Sequence, residues 1–174
     1  GNPAAAAYYH DSREKGFKTV FSAYAEATIV PEKLKFKTSY NLDFYFYDAR
    51  TYTPEHNVGG SQGNATSALS KTYGYGTYHI IDNTLTYSDT KGAHSFSAML
   101  GQSTRMQYNA SLSGRANSVP GFDEQSKYLV NGSYKNQTTS DAASRYNGLS
   151  FFARGTYNYK DKYLATVTLR ADGS

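Results

Sequence analysis

Residues 34–47 read LKFKTSYNLDFYFY, and no other stretch of the chain states its architecture so plainly. Leu34, Phe36, Tyr40, Leu42, Phe44 and Phe46 share one parity; Lys35, Lys37, Ser39, Asn41, Asp43, Tyr45 and Tyr47 share the other. Successive side chains of an extended strand point to opposite faces, so this period of two predicts a long strand with one apolar and one polar face. The same alternation returns on both sides of it. Phe17, Phe21 and Ile29 oppose Lys18, Tyr24 and Glu26 in a strand expected over about 17–30, and further strands are expected over about 73–88, 94–113 and 145–159, then from Tyr163 onward. Ile81, Leu85 and Tyr87 are in phase in the first of these, and Phe96, Leu100, Met106, Tyr108 and Leu112 in the second. Leu149, Phe151, Ala153, Tyr157 and Tyr159 share a face, as do Tyr163, Ala165, Val167 and Leu169.

The connections sort by length. VPEK (30–33), SDTKGA (88–93) and YKDK (159–162) are short, whereas 53–71 and roughly 114–143 are long and rich in Gly, Ser and Asn. In an antiparallel meander alternate connections lie at the same end, so the short turns gather at one end and the long loops at the other. Outer-membrane barrels have this asymmetry, and a soluble sandwich has no reason for it. The expected fold is therefore all-β, an antiparallel up-and-down meander of about six strands forming part of a larger transmembrane β-barrel. Tyr87, Phe96, Tyr157, Tyr159 and Tyr163 stand beside the short turns on the apolar face, where a membrane-interface aromatic girdle belongs. Some residues break the pattern. Asn83, Gln102 and Thr104 fall in the apolar phase, and Phe152 in the polar one.

Composition narrows the alternatives. The 174 residues include 18 Tyr and 9 Phe but no Trp, and mean hydropathy is −0.66, too polar for a thick aliphatic core. Cysteine is absent, which excludes disulfides and thiolate metal sites. The net charge of +4 is spread along the chain; Lys35 and Lys37 share a strand face suited to solvent or a lumen, so no nucleic-acid partner is expected. No apolar run approaches the roughly 20 residues of a membrane helix, and AAAA at 4–7 is too short to be a targeting segment, but barrel strands escape both criteria. GGSQG at 59–63 has the spacing of a nucleophile elbow without the strand and helix that motif requires. GYG at 74–76 lacks the rest of a dinucleotide-binding loop, and His10, His56, His79 and His94 lack zinc-ligand spacing. No enzyme activity, cofactor or metal is expected.

Two stretches carry a resemblance. NTLTYSDTKGAHSFSAMLGQS (83–103) and LSFFARGTYNYKDKYLATVTLRADGS (149–174) resemble the SusC/RagA family of TonB-dependent outer-membrane transporters. The family's strand–turn–strand pattern is matched at Phe152, Arg154, Tyr157, Asn158, Tyr159, Lys162, Tyr163, Leu164, Arg170, Asp172, Gly173 and Ser174. Ala153, Gly155 and Thr156 depart from its commoner residues; Asn2-Pro3 and AYAE at 23–26 fit the region before these motifs.

The resemblance implies that residues 1–174 are a partial barrel domain, without a plug domain, of a longer transporter with about 22 strands. Its outer strands must pair with the remainder of their own barrel, because unpaired backbone groups are prohibitive in lipid. The implied location is the bacterial outer membrane. The implied function is import of oligosaccharides or peptides, with a lipid bilayer, a surface SusD-like lipoprotein and the TonB complex, acting through an N-terminal plug, as partners. Within the polar phase Asp43, Tyr45, Tyr47 and Arg105 lie toward the extracellular ends and are candidate substrate contacts. Tyrosine faces suit sugar rings, and charged groups suit hydroxyls or peptide termini; plain polar lining bonded to its neighbours is the competing reading. A soluble all-β carbohydrate-binding module is the rival function.

Overall fold

The computed structural model describes residues 8–57 and 63–174. In chain order the strands are β1 (Asp11–Val30), β2 (Leu34–Thr53), β3 (His56–Asn57), β4 (Gly63–Asn64), β5 (Ala68–Lys91), β6 (His94–Asn117), β7 (Thr138–Tyr159) and β8 (Tyr163–Gly173). Six of them form one antiparallel sheet in the order β1-β2-β5-β6-β7-β8, and β3 pairs with β4 in a separate two-stranded one. The meander expected from the alternation is the meander observed.

Its strands are longer than expected. β1 begins at Asp11 rather than 17, β5 at Ala68 rather than 73, and β7 at Thr138 rather than 145. The second long loop shrinks accordingly to 118–137, with 3-10 turns at Leu129–Asn131 and Tyr134–Asn136. Stretches such as SREKG (12–16) and TTSDAAS (138–144) show no apolar alternation, so no periodicity announces them; pairing with a neighbouring strand holds them extended. GGSQG apart from Gly63, Asn2-Pro3 and the alanines at 4–7 lie outside the described residues.

The chain divides into two compact units. One holds 19–44, 77–108 and 145–174, hence all three short turns; the other holds 1–18, 45–76 and 109–144, hence both long loops. In the first unit the turns are tied together. The Ser88 amide donates to the Lys33 carbonyl and the Lys160 amide to the Ala93 carbonyl, both at 2.8 Å, and Lys33 pairs with Asp89 at 3.1 Å. Lys160 and Asp161 both take positive φ (52° and 54°), the mirror-image turn whose twist matches that of a hairpin. Two non-glycine residues there cost about 1 kcal/mol each. The Asn158 amide, donating to Asp161 Oδ1 at 2.6 Å, helps hold them.

Register keeps the two faces apart. β7 and β8 pair Phe151 with Ala171, Ala153 with Leu169, Tyr157 with Ala165 and Tyr159 with Tyr163 on one face. Ser150–Asp172, Phe152–Arg170, Arg154–Thr168 and Thr156–Thr166 occupy the other. The apolar face is bare: Phe151 is 57% exposed, Leu100 62%, Val167 63% and Leu169 68%. A β-sandwich would bury these side chains against a second sheet. Here they carry the apolar phase of a single layer.

The residues that break the phase have partners. Asn83 Nδ2 donates to Gln102 Oε1 at 2.8 Å, and Gln102 Nε2 donates to Thr104 Oγ1 at 2.5 Å, so the three polar exceptions on the apolar face satisfy one another. His79, also in that phase, bonds through Nδ1 to the Tyr40 hydroxyl at 2.8 Å. Phe152 takes the space above Gly101, where any side-chain atom would overlap its ring. On the polar face Lys35 pairs with Glu26 at 3.4 Å, and Lys37 lies 4.7 Å from the Tyr24 ring centroid.

The unit of the long loops has a small core of its own. Tyr52, Leu69, Ala116 and Val119 are buried, with Leu129 packed against them. Full burial of Leu69 contributes about 1.5–3 kcal/mol. Around this core a charged cluster pins the 118–137 loop. Glu124 accepts from Arg50 at 2.6 Å, Lys127 at 3.0 Å and Arg13 at 3.2 Å, and Asp11 accepts from Lys127 at 2.8 Å and Arg50 at 3.1 Å. Hydrogen bonds from Arg50 and Lys127 hold the Glu124 carboxyl down at about 2, and Lys127 first of all lowers Asp11.

Candidate functional site

Tyr45 and Tyr47 stand two residues apart on β2, so their rings project to the same face at one strand repeat. Their centroids are 6.5 Å apart and their planes 17° from parallel. The strand beside them explains this order. Above Gly74 of β5 the space is taken by the Cε1–Cζ–Oη edge of Tyr47, and above Gly76 by the corresponding edge of Tyr45. A methyl group at either glycine would overlap the ring. The GYG triplet, meaningless as a nucleotide loop, is thus a pair of vacant sites that let two rings rest on the sheet.

Hydrogen bonds complete the arrangement. The Tyr45 hydroxyl donates to Asn109 Oδ1 at 2.9 Å, and Asn109 Nδ2 donates to Ser144 Oγ at 3.5 Å. With Ser111, Ala142 and backbone between them, these groups line an open groove of about 200 Å³. Every lining residue is uncharged. Chemically the groove offers ring edges and faces, one amide and several hydroxyls, and no formal charge.

The other expected contacts, Asp43 and Arg105, belong to the unit of the short turns. Both are half-buried, and Arg105 Nε is buried with no hydrogen-bond partner among the described residues. Of the four expected contacts, the structure places Tyr45 and Tyr47 together in one groove. Gly74, Gly76, Asn109 and Ser144 were not picked out by sequence as parts of it. The parity of each on its own strand agrees with a common face, but which strands are neighbours, and at what height, is tertiary information.

The residues expected to form an aromatic girdle fall in two clusters. Tyr87 packs on Phe96 with centroids 5.8 Å apart; Tyr159 packs on Tyr163 at 6.4 Å. Tyr157 joins the second cluster through its hydroxyl, 2.6 Å from His94 Nδ1, while the His94 ring lies 4.8 Å from that of Tyr159. His94 has the parity of Phe96 and so shares its face of β6. Among the motif residues, Arg170 Nε donates to both oxygens of Asp172 at 2.9 and 3.0 Å, and Ser150, across the strand pair, donates to Asp172 Oδ1 at 2.5 Å. Gly173 pairs with Leu149 at the end of this ladder, and Arg154 lies opposite Thr168. Asn158 and Lys162 flank the β7–β8 turn, where the Lys162 amide donates to the Tyr159 carbonyl at 3.1 Å. Among the described residues no group of three or more His, Asp or Glu side chains is placed to hold a metal ion.

No family model matches the chain. Among curated proteins it is similar to the TonB-dependent receptor P39 of Formosa agariphila, 24% identical over 99% of this chain and 16% of that protein. It is likewise similar to the TonB-dependent receptor P3 of the same organism, 29% identical over 81% of this chain and 14% of that protein. The chain thus spans under a fifth of the length of these relatives. Among solved structures its fold matches the RagAB peptide transporter with a TM-score of 0.84 at 14% identity, over 97% of this chain and 19% of that one. The RagAB peptide importer in its open-open state matches with a TM-score of 0.82 at 17% identity, over 97% and 18%. The chain is thus similar in sequence to TonB-dependent receptors, and its six-stranded meander, bare on its apolar phase, has the fold of a segment of the RagAB peptide transporter.

Proposed function

We propose that this chain forms part of the wall of an outer-membrane transporter that imports oligosaccharides or peptides in a TonB-dependent cycle. The observation that carries the reading is the bare apolar phase: Leu100, Phe151, Val167 and Leu169 are more than half exposed, with no second layer over them among the described residues. In water such a surface drives aggregation; in a bilayer it is the surface required. In this reading Tyr87, Phe96, Tyr157, Tyr159 and Tyr163 sit at headgroup level, where an amphipathic ring is most at ease. The polar phase lines the lumen, and Asp43, Tyr45, Tyr47 and Arg105 contact passing cargo. Arg154, Asn158, Lys162, Arg170, Asp172 and Gly173 keep the last hairpin in register. The remainder of the barrel closes the free edges of β1 and β8, a plug and the TonB complex supply the work of import, and a surface lipoprotein covers the mouth. The chain guides cargo and performs no chemistry on it.

Extraction of the full-length parent tests this. It is expected in the detergent-extracted fraction of bacterial outer membranes. Recovery in the soluble fraction without detergent refutes the transporter reading and favours a soluble carbohydrate-binding module.

A further inference from the structure

The groove above β5 has chemistry specific enough to name what it takes. Tyr45 and Tyr47 present two rings in near-parallel order, 6.5 Å apart, and Asn109, Ser111 and Ser144 supply an amide and hydroxyls beside them. The electron-rich face of a ring accepts the C–H face of a pyranose, and the amide and hydroxyls answer its equatorial hydroxyls. An ionic ligand finds no countercharge among the lining residues. An extended peptide repeats an amide and a carbonyl at every residue, whereas Asn109 is the one amide side chain lining the groove, and after accepting from Tyr45 and donating to Ser144 it keeps one donor and one acceptor site, enough for a sugar hydroxyl.

Resting on the transport reading above, we propose that Tyr45, Tyr47 and Asn109 form a stacking subsite for an uncharged pyranosyl unit, and that Gly74 and Gly76 are its positioning residues. The glycines never touch the sugar. Their part is to leave the space into which the hydroxyl-bearing edges of the rings settle. A side chain at position 76 displaces Tyr45 and breaks its bond to Asn109, because the added carbon would overlap the ring and also lie 2.6 Å from Asn109 Oδ1. The platform is therefore a two-strand device, rings from β2 and vacancies from β5.

The test uses the purified full-length parent in detergent and isothermal titration with hexasaccharides of glucose, xylose and mannose, a hexagalacturonate and a hexa-alanine peptide. At least one neutral hexasaccharide is expected to bind in preference to the galacturonate and the peptide. Tyr45→Ala and Tyr47→Ala each weaken it about tenfold, the loss of one well-made ring contact. Tyr45→Phe and Tyr47→Phe keep the rings and retain binding within about threefold, which separates loss of stacking from loss of fold. Gly76→Ala weakens binding as Tyr45→Ala does, and adds nothing to it when the two are combined. Binding of the peptide or the galacturonate in preference to every neutral sugar overturns the proposal, as does neutral-sugar binding indifferent to the two alanine variants, or no sugar binding at all. In each of these cases a parent that still requires detergent leaves the transporter reading standing, so the two failures are distinguishable.

Discussion

Gln102 is the place where single-layer physics makes its sharpest demand. It lies in the apolar phase of β6, between Leu100 and Met106, and holds two polar neighbours at once: it accepts from Asn83 at 2.8 Å and donates to Thr104 at 2.5 Å. Gln102→Leu adds an apolar side chain to a face read as lipid-facing, which by itself is favourable. It also orphans the Asn83 amide, and an unsatisfied polar group away from water costs about 1–3 kcal/mol, more in hydrocarbon. Thr104 contributes less, since its hydroxyl oxygen loses one incoming bond while its own O–H remains free to donate. The net expectation is a loss of about 1–3 kcal/mol. Asn83→Leu combined with Gln102→Leu removes both ends of the bond, and stability is expected to return to within about 1 kcal/mol of the parent or to exceed it. Guanidinium unfolding of the full-length parent in lipid vesicles, followed by circular dichroism, measures the cycle. If Gln102→Leu is stabilising by itself, or if the two substitutions simply add, the polar ladder is not a unit and this account of the phase-breaking residues is wrong.

Two further outcomes follow from the same geometry. Gly101→Ala forces a carbon into the ring of Phe152 and is expected to cost about 1–3 kcal/mol in the same unfolding assay; in a Phe152→Ala background that cost should vanish. The charged cluster around Glu124 predicts a pH dependence for the 118–137 loop. A carboxylate held below its ordinary value stabilises the docked loop fully above its ordinary 4.5 and loses that contribution as pH falls toward about 2. Hydrogen exchange over residues 120–131, corrected for the intrinsic rate, should therefore show steady protection from about pH 8 to 5 and declining protection below. Protection that falls as pH rises within that range contradicts the role assigned to Arg50 and Lys127.

Much of this was legible in the residues, and each success has a local cause. Parity along β2, β6 and β7 is a property of the strand itself, so Phe44, Leu100 and Phe151 declared their face without reference to anything distant. Turn signals are equally local: Pro31-Glu32, Lys91-Gly92 and Lys160-Asp161 close between adjacent strands. Strand ends were less legible. Nothing periodic marks 12–16 or 138–144, and only ladder pairing with a neighbour extends β1 and β7 through them. The apparent errors of phase were the least legible. Asn83 and Gln102 look like mistakes one strand at a time and become a bonded pair once β5 lies beside β6.

The sequence by itself therefore determined an antiparallel all-β meander, which side chains share a face of each strand, and the sorting of short turns from long loops, because alternation and turn chemistry act within a few residues of themselves. Tertiary structure alone decided which residues meet across the sheet: rings over glycines at 74, 76 and 101, the amide ladder at 83 and 102, and the carboxylates that pin a distant loop. Those contacts depend on register and height between neighbouring strands, and a one-residue shift in either would replace every one of them while leaving the pattern in the text unchanged.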